Sequence, residues 1–182
     1  MTVPIRALRP DDIDVVVEFS LRAWQPVFES FRQVMGAEVY RRVYPDWKTI
    51  QAEVVESSCR AEGNRVWVAE ADGRPVGFAV VVIHPINRET HSGEIYMLAV
   101  DPRYQKRGIG LALVNFAADR ITELGVPLAE IGTGGDPGHA PARRVYERAG
   151  FTPVPLVRYF KALPETPETE TPETPNAPGA QR

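Results

Sequence analysis

The sequence predicts an α/β domain, or more fully an α+β arrangement in which a mixed sheet is flanked by helices. Two observations predict this class. In the first third and again beyond the middle of the chain, apolar residues recur at three- and four-residue spacing, as in amphipathic helices. Between these parts lie segments rich in valine and aromatic residues, bounded by turn signals, as in strands. This order of elements is typical of helices packed on a mixed sheet.

The first part of the chain is predicted to be one strand followed by helices. Residues 3–8 alternate as a strand does, and an acidic turn then caps a helix that reaches Trp24. Pro26 is expected to end or kink this helix, because proline lacks the backbone N–H that a helix interior uses. A second helix over residues 28–44 and a third over residues 47–60 follow.

The remainder is predicted to begin with a β-hairpin, whose strands span residues 65–70 and 75–83 around an Asp-Gly turn. A polar loop over residues 84–92 leads to a strand over residues 93–100, which Asp-Pro stops. The last predicted elements are a helix over 108–124 capped by Gly125, a strand over 128–132, a helix over 142–149 capped by Gly150, and an extended strand over 151–160.

Composition and charge narrow the classes of function. The chain has 182 residues, 43% hydrophobic and 25% charged, and residues 1–162 are expected to form one globular domain. Residues 163–182 repeat proline, glutamate and threonine, so we expect a disordered tail. The tail holds four of the 24 acidic and one of the 21 basic residues, which leaves the domain formally neutral. Such a domain has no broad positive field, so neither nucleic acid nor a membrane is expected as a partner.

Cysteine usage excludes two further kinds of site. Cys59 is the only cysteine, so an intramolecular disulfide and a cysteine-rich metal site are both excluded, and no metal is expected.

The N-terminus meets charge too early for a signal peptide, and no stretch approaches about 18 consecutive apolar residues. We therefore expect a cytoplasmic protein.

The junction between the strand ending at Val100 and the helix beginning near Gly108 carries the main functional signal. A helix N-terminus presents unpaired N–H groups and the positive end of the helix dipole, so it binds anions readily. Gly108 and Gly110 let a phosphate approach the backbone, while Lys106 and Arg107 add charge. The turn lacks the ending of a P-loop and the third glycine of a dinucleotide fingerprint. Taken alone, it indicates either a phosphate site or a purely structural turn.

Two motifs resemble the acetyl-CoA-binding core of the GNAT superfamily of N-acetyltransferases. EIYMLAVDPRYQKRGIG carries the pattern [Gln/Arg]-x-x-Gly-x-[Gly/Ala] between a strand and a helix, and ARRVYERAGF begins at Ala142. The resemblance covers roughly residues 93–151. It implies a GNAT-like fold, acetyl-CoA as cosubstrate, and transfer of an acetyl group to a primary amine by direct attack in a ternary complex. The amine acceptor is left unidentified.

The resemblance also assigns acetyl-CoA to residues. It implies that the pantetheine arm pairs with the main chain of the strand, in a slot opened by its splay from residues 128–132, and that the pyrophosphate lies on N–H groups of the turn. His139 stands where members commonly have an asparagine that fixes the CoA arm; positioning, an unrelated loop role and acid–base work are the alternatives. The implied cofactor-binding residues are Leu98, Ala99, Val100, Gln105, Lys106, Arg107, Gly108, Ile109, Gly110, His139 and Tyr146.

Tyr146 and Glu94 are the catalytic residues that the resemblance implies. Tyr146 corresponds to the tyrosine that protonates the leaving thiolate in many members, and a phenol with a pKa of about 10 is protonated at pH 7. A lysine-like amine must lose a proton before attack, and a glutamate placed as Glu94 is acts as the base in the histone-acetylating branch. Each residue has a structural alternative, the packed inner face of a helix for Tyr146 and an exposed strand end for Glu94. An ordered water is an alternative base.

Other functions remain open at this point. A non-catalytic acyl-CoA-binding or sensing module would need neither Glu94 nor Tyr146, an adaptor would recruit partners through the tail, and a nucleotide-binding protein would use the turn differently. A homodimer is compatible with these interpretations, although no motif indicates it. Aromatic residues of the first helices either line an acceptor pocket or belong to the core; they are Trp24, Phe28, Phe31, Tyr40 and Tyr44.

Overall fold

The structure, a computed structural model, describes residues 3–85 and 91–164. Within these ranges five strands form one sheet, in which the order of the strands follows the chain. The strands are β1 (Ile5–Ala7), β2 (Arg65–Ala71), β3 (Arg74–Pro85), β4 (His91–Val100) and β5 (Leu128–Glu130). The helices are α1 (Ile13–Met35), α2 (Ala37–Val43), α3 (Trp47–Arg60), α4 (Ile109–Glu123) and α5 (Ala140–Arg148). The sheet is antiparallel from β1 to β4, and β5 joins β4 in parallel, so the predicted α/β class with a mixed sheet is confirmed.

The β2–β3 hairpin is confirmed, and its turn explains why the sequence signalled it. Asp72 and Gly73 both have positive φ, 51° and 73°, as a two-residue hairpin turn requires. The predicted polar loop over 84–92 is wrong at both ends, because Pro85 of β3 pairs with His91 of β4. Residues 86–90 of that predicted loop lie outside the described ranges.

The first helix corrects the prediction for Pro26. α1 continues through Pro26 to Met35, where Gly36 with φ of 77° ends it. The predicted second helix over residues 28–44 is therefore wrong, because its first part belongs to α1 and its second part is the separate short α2. Pro26 is exposed, so the hydrogen bond that it removes lies on the solvent side. Phe19 is fully buried and Phe28 stacks on Trp47 of α3, so tertiary contacts on both sides of Pro26 outweigh the local break.

The C-terminal segment also differs from its prediction. Residues 151–164 form no strand, although residues 151–160 have the apolar character of one. Pro153 and Pro155 remove two N–H donors from any ladder that this segment would form, which accounts for the missing strand. Leu156 and Tyr159 are 86% and 91% exposed. The predicted disordered tail falls mostly on residues 165–182, which lie outside the described ranges.

Two apolar clusters pack on opposite faces of the sheet. On the face that we call the α4 face, α4 covers a cluster that includes Val81, Ile95 and Leu113. On the α1 face, α1 and α3 cover a second cluster, which includes Phe19 and Val80. Adjacent residues of β3 thus point to different clusters, as pleating requires. No helix in the described part of the chain is both long and apolar enough to cross a membrane.

Candidate active site

A bulge interrupts β4 in its middle. The register pairs Val80 with Met97 and Val81 with Ile95, so Tyr96 has no cross-strand partner in β3. Ile95 packs in the α4-face cluster and Met97 in the α1-face cluster, although residues two apart on an unbroken strand share a face. Bulges of this kind re-aim side chains and are common beside active sites. The alternation that would place Glu94 and Tyr96 on one face is therefore broken at this point.

Beyond the bulge, β4 and β5 part. Their parallel pairing runs only from Ser92–Leu128 to Glu94–Glu130. Among the described residues, no strand pairs with this side of β4 over residues 95–100, a stretch that we call the open edge. The predicted separation of the two strands is thus present in the structure, and it leaves main-chain donors and acceptors of β4 for another partner.

Hydrogen-bond alternation decides which residues face the open edge. The Asp101 N–H donates to the Val76 carbonyl at 2.8 Å, which makes these two a hydrogen-bonded pair of β4 and β3. Since such pairs alternate along an antiparallel ladder, the main-chain groups of Ala99 also point toward β3. Those of Leu98 and Val100 consequently point toward the open edge.

The glycine turn, residues 105–110, continues directly from this edge. Lys106 and Gly108 have φ of 62° and 83°, so the chain is left-handed at both positions before α4 begins. The Gln105 Nε2 donates to the Val100 carbonyl at 3.0 Å and ties the turn to the strand end. The first N–H groups of α4 have no partner within the helix. A helix N-terminus with unpaired N–H groups thus follows directly from the open edge.

Asp101 is a buried hydrogen-bond acceptor at the junction between β4 and the glycine turn. It is 2% exposed and accepts hydrogen bonds from Arg103 Nη2 at 2.6 Å and from Arg22 Nη2 of α1 at 3.0 Å. Its Oδ1 also accepts from the Arg103 backbone N–H at 3.0 Å. The Arg103 hydrogen bonds, with help from Arg22, hold the pKa of Asp101 well below its usual range despite burial.

We expect Asp101→Asn to lower the free energy of unfolding by about 2 kcal/mol at pH 7, because the amide keeps the shape but loses the charge-assisted hydrogen bonds. A depressed pKa stabilises the folded state above the ordinary carboxyl pKa, so the difference from wild type should shrink as pH falls below about 4. Urea unfolding across pH measures both the loss of stability at pH 7 and its decrease in acid. Asp119→Asn, at an exposed position of α4, is the control and should change stability by less than about 0.5 kcal/mol.

Tyr146 lies on the α4 face. It packs against the same cluster as Leu98, and that cluster contains Val100 and Ile109. Burial raises the pKa of Tyr146 to about 12, so the phenol stays protonated throughout the neutral range. The structure thus brings the strand, the start of α4 and the predicted acid together around one end of the open edge.

Glu94 lies on the other face of the sheet. Its register partner Val82 packs against the α1-face cluster. The Glu94 Oε2 lies 2.7 Å from Nε2 of His84 in β3, so His84 is a partner of the predicted base. Glu130 of β5 is its neighbour in the register and accepts a hydrogen bond from Ser92 at 2.6 Å. Two carboxylates therefore stand where β4 and β5 separate.

His139 belongs to a hydrogen-bonded cluster with Asp136 and Ser30. The His139 Nδ1 lies 2.5 Å from Oδ1 of Asp136, and Oδ2 of Asp136 accepts from the Ser30 hydroxyl of α1 at 2.6 Å. Burial acts to raise the pKa of Asp136, but hydrogen bonds from Ser30, His139 and the Gly138 N–H together hold it below its usual value. His139 also lies against Phe31 of α1, with ring centroids 5.4 Å apart.

The aromatic residues of the first helices divide between two environments. Trp24 contacts Phe78 edge to face and packs against the α1-face cluster, so it is a core residue. Phe31 stacks on Tyr44 with centroids 5.3 Å apart, next to His139. Further ring contacts extend this second group to Phe28, Tyr40 and Trp47.

Comparison with known proteins now identifies the family. The profile described as acetyltransferase (GNAT) family matches residues 24–151, more than half of the chain. The chain belongs to the GNAT family. The open edge of β4, the glycine turn and Tyr146 are therefore features of a GNAT domain in this chain.

Individual relatives agree with this assignment. A mycothiol acetyltransferase of Acidimicrobium ferrooxidans is 30% identical over 151 residues, which cover 81% of this chain and 43% of that protein. The aminoglycoside acetyltransferase meta-AAC0020, from an uncultured soil metagenomic sample, superposes with a TM-score of 0.58 at 22% identity, covering 90% of this chain and 97% of that one. Aminoglycoside N-acetyltransferase AAC(6′)-Iy, solved with CoA, gives a TM-score of 0.57 at 17% identity, covering 88% and 95%.

These likenesses differ in what they establish. The two solved structures share less than 25% identity with the chain and show the GNAT fold alone. The chain spans less than half the length of the mycothiol acetyltransferases that it matches. The residues described hold no group of three side chains suited to binding a metal ion.

Sequence reasoning missed three polar partners in this GNAT domain. His84 and Glu94 come together only because β3 and β4 pair in the observed register. Ser30 lies far from Asp136 in sequence, so no local pattern could have linked them. Asp136, in contrast, precedes His139 by three residues in a Gly/Pro loop, and that spacing was a usable signal of a side-chain pair.

Proposed function

We propose that this chain is an acetyl-CoA-dependent N-acetyltransferase, which moves an acetyl group to a primary amine by direct attack in a ternary complex. The observation that carries the proposal is the continuity of the open edge of β4 with the glycine turn and the start of α4. A ligand with an extended amide-containing arm and a pyrophosphate matches that sequence of sites. Acetyl-CoA is such a ligand, and the relatives named above are acetyltransferases.

Acetyl-CoA binding divides between the two parts of this site. The pyrophosphate accepts hydrogen bonds from the N–H groups of the glycine turn and of the first turn of α4, with Lys106 and Arg107 supplying charge. The pantetheine arm adds to the sheet at the open edge, through main-chain groups of Leu98 and Val100. Ala99 contributes its small side chain rather than its N–H, since its main chain faces β3.

The reaction then takes place where β4 and β5 separate, a place that is reached from both faces of the sheet. The amine approaches from the α1 face, where Glu94 removes a proton from the ammonium form. The neutral nitrogen attacks the thioester carbonyl, and when the C–S bond breaks the sulfur takes a proton from the Tyr146 phenol. Tyr146 suits this role because its pKa of about 12 keeps it protonated at neutral pH. The negative charges of Glu94 and Glu130 attract the cationic acceptor.

The aromatic group beside His139 is the proposed acceptor wall. Phe31 and Tyr44 form a stacked pair between α1 and the end of α2, on the α1 face. Flat apolar rings beside the Asp136–His139 pair suit an amine that carries a ring or an aliphatic ring system. Aminoglycosides and mycothiol-related amines enter the range of candidate acceptors through the names of the relatives.

Thiol release from acetyl-CoA, measured against a panel of aminoglycosides, mycothiol-related amines, polyamines, amino acids and peptides, tests the proposal. We expect acetylation of at least one amine class, with product mass increased by one acetyl group. Binding of acetyl-CoA without transfer to any class would contradict catalysis and favour the non-catalytic CoA-binding alternative.

A variant of Glu94 tests the assignment of the base. We expect Glu94→Gln to lower kcat/KM about 100-fold near pH 7, because the amide cannot accept the ammonium proton. The loss should diminish as pH rises, since more of the amine is then already neutral. Pre-steady-state and steady-state rates across pH measure this, with exposed Glu53→Gln of α3 as the control. An unchanged kcat/KM at every pH would remove Glu94 from the mechanism.

We also propose that two copies associate into a homodimer through the C-terminal segment. Val154, Leu156, Val157 and Tyr159 are largely exposed, and contiguous apolar exposure of this kind is typical of protein contact surfaces. Light scattering of the whole chain should give a dimer mass. Leu156→Glu should convert it to a monomer, and a wild type that is monomeric at all concentrations would contradict the proposal.

A further inference from the structure

We propose that Asp136 and His139 form a second proton-accepting pair, which takes the proton that the nitrogen loses after its attack and passes it to water. The inference rests on the proposed acetyl transfer and adds to it a residue for the second half of the proton transfer.

The geometry of the pair assigns the tautomer of His139. Asp136 has a side chain only 7% exposed, and it accepts hydrogen bonds from Ser30 at 2.6 Å and from the Gly138 N–H at 2.9 Å. These donors keep it ionised, and an ionised carboxylate only accepts hydrogen bonds. The proton between Asp136 and His139 must therefore be carried by Nδ1. A neutral His139 then has its lone pair on Nε2.

This tautomer makes position 139 a hydrogen-bond acceptor, whereas the residue common in the family would make it a donor. An asparagine there would offer an N–H donor, whereas the neutral ring of His139 offers an acceptor held in place by Asp136. A hydrogen bond from His139 to a carbonyl of the CoA arm would require the protonated ring. The pair is thus suited to accept a proton, as in other histidines oriented by a buried carboxylate.

The close approach of these side chains is built into the loop. A Cβ at Gly134 would lie 2.4 Å from the Asp136 Oδ1 and 2.5 Å from the His139 Nδ1, so only glycine leaves room for the pair. The Arg143 Nη1 donates to the Gly134 and Asp136 carbonyls, at 2.6 and 2.9 Å, and fixes the loop to α5. The space left by Gly134 and the hydrogen bonds from Arg143 of α5 therefore both keep Asp136 against His139.

The helix α5 connects the two faces of the sheet. At its N-terminal end His139 and Gly138 contact Phe31 and Ser30 of α1, whereas Tyr146 packs on the α4 face. Seven residues separate Tyr146 from His139, which directly precedes α5, so the two positions lie about 10 Å apart along the helix axis.

The proton balance of the reaction requires a second proton acceptor, and the Asp136–His139 pair is suited to that role. An ammonium substrate loses two protons on its way to an amide, and Glu94 accepts only the first. Attack forms the N–C bond and places the carbonyl electron pair on oxygen; collapse restores the carbonyl and expels the sulfur with the C–S pair. The sulfur takes the Tyr146 proton, and the nitrogen gives its second proton to the His139 Nε2. His139 and Glu94 then release their protons to water, the Tyr146 phenolate takes one proton back from water, and every residue is restored.

Other charged and titratable groups around the pair affect its pH dependence. Arg143 of α5 carries a positive charge and donates a hydrogen bond to the Asp136 carbonyl. Tyr44, at the end of α2, has its pKa raised first by burial and further by Asp136, while Arg158 of the C-terminal segment acts in the opposite direction. Ser30 and Phe31, which α1 presents, do not titrate near neutral pH.

His139→Asn is the central test, because asparagine keeps the size and amide chemistry of the family position but cannot take a proton. We expect kcat for an acceptor found in the panel to fall at least about tenfold, with the KM for acetyl-CoA and the Tm unchanged. The part of the acidic limb of the kcat profile due to His139 should disappear. His91→Asn, an exposed histidine at the start of β4, is the matched control and should behave as wild type.

Asp136→Asn tests the positioning role of the carboxylate. The amide oxygen still accepts the Nδ1–H, but the negative charge that favours the protonated ring is lost. We expect the acidic limb of kcat to move toward lower pH by about one unit. A fall in activity without any movement of this limb would assign Asp136 a structural role alone and would overturn its part in the proposal.

A double-mutant cycle with Glu94→Gln asks whether the two residues handle different protons. Separate protons predict that the losses in kcat multiply, whereas one shared proton predicts that the second variant adds little. Multiplicative losses support the proposal, and a non-multiplicative cycle overturns it. If wild type acetylates an amine and His139→Asn retains full kcat and the acidic limb, the inference fails while acetyl transfer stands. If wild type acetylates no amine, the proposed function itself fails.

Discussion

Tyr146→Phe should lower kcat about 100-fold while leaving the KM for acetyl-CoA and the Tm close to wild type. The substitution removes one hydroxyl and keeps the ring that packs against the α4-face cluster. Without the phenol, the sulfur must leave as an unprotonated thiolate or take its proton from water, and losing a positioned acid costs about 10² to 10⁴ in rate. Because the pKa of the phenol is about 12, wild-type kcat should show no loss of this acid between pH 7 and 10.

Single-turnover acetylation measures the chemical step directly. Tyr159→Phe provides a matched control, since that phenol is 91% exposed on the C-terminal segment and its loss should not change kcat. If Tyr146→Phe retains the wild-type rate of acetyl transfer at every pH, Tyr146 only packs the inner face of α5 and the acid must be sought elsewhere.

Gly93→Val should lower the free energy of unfolding by about 3 kcal/mol. A Cβ at Gly93 would lie 2.6 Å from two carbons of Ile121, which is 1% exposed on α4. Valine must therefore displace α4 from β4, and overpacking of a closed core costs about 1–3 kcal/mol or more. Because α4 starts at the glycine turn, the same displacement should weaken acetyl-CoA binding.

Urea unfolding and acetyl-CoA titration measure the two effects of Gly93→Val. Gly132→Val is the control, because Gly132 is exposed and a Cβ there would meet no atom within 4 Å. Gly93→Ala should cost less stability when Ile121 is already changed in Ile121→Ala, because alanine lacks all three carbons that the added Cβ would meet. Wild-type stability of Gly93→Val would show that α4 and β4 do not pack as closely as described.

The sequence predicted the elements whose signals are local. The Asp-Gly hairpin and the caps at Gly125 and Gly150 depend on left-handed conformations that glycine or aspartate adopts, and all three are observed. The start of α4 after Gly108 follows from the same property. Short-range chemistry therefore determines the elements on which acetyl-CoA binding is proposed to depend.

Elements decided by tertiary contacts were predicted less well. α1 runs past Pro26 because residues on either side are buried in tertiary contacts, which no local rule anticipates. The bulge at Tyr96 arises from the register between β3 and β4, and it cannot be read from an unbroken run of apolar residues. In the site, the pairing of Glu94 with His84 and of Asp136 with Ser30 likewise depends on folding, since these partners come from different elements.

Amide hydrogen exchange, resolved by residue, tests the proposed donor site most directly. Adding acetyl-CoA should slow exchange at Leu98 and Val100 and along residues 105–110, whereas Ala99, already directed toward β3, should change little. The β2–β3 hairpin turn at Asp72 and Gly73 should not respond. Saturating acetyl-CoA that protects neither the open edge of β4 nor the glycine turn would contradict the account.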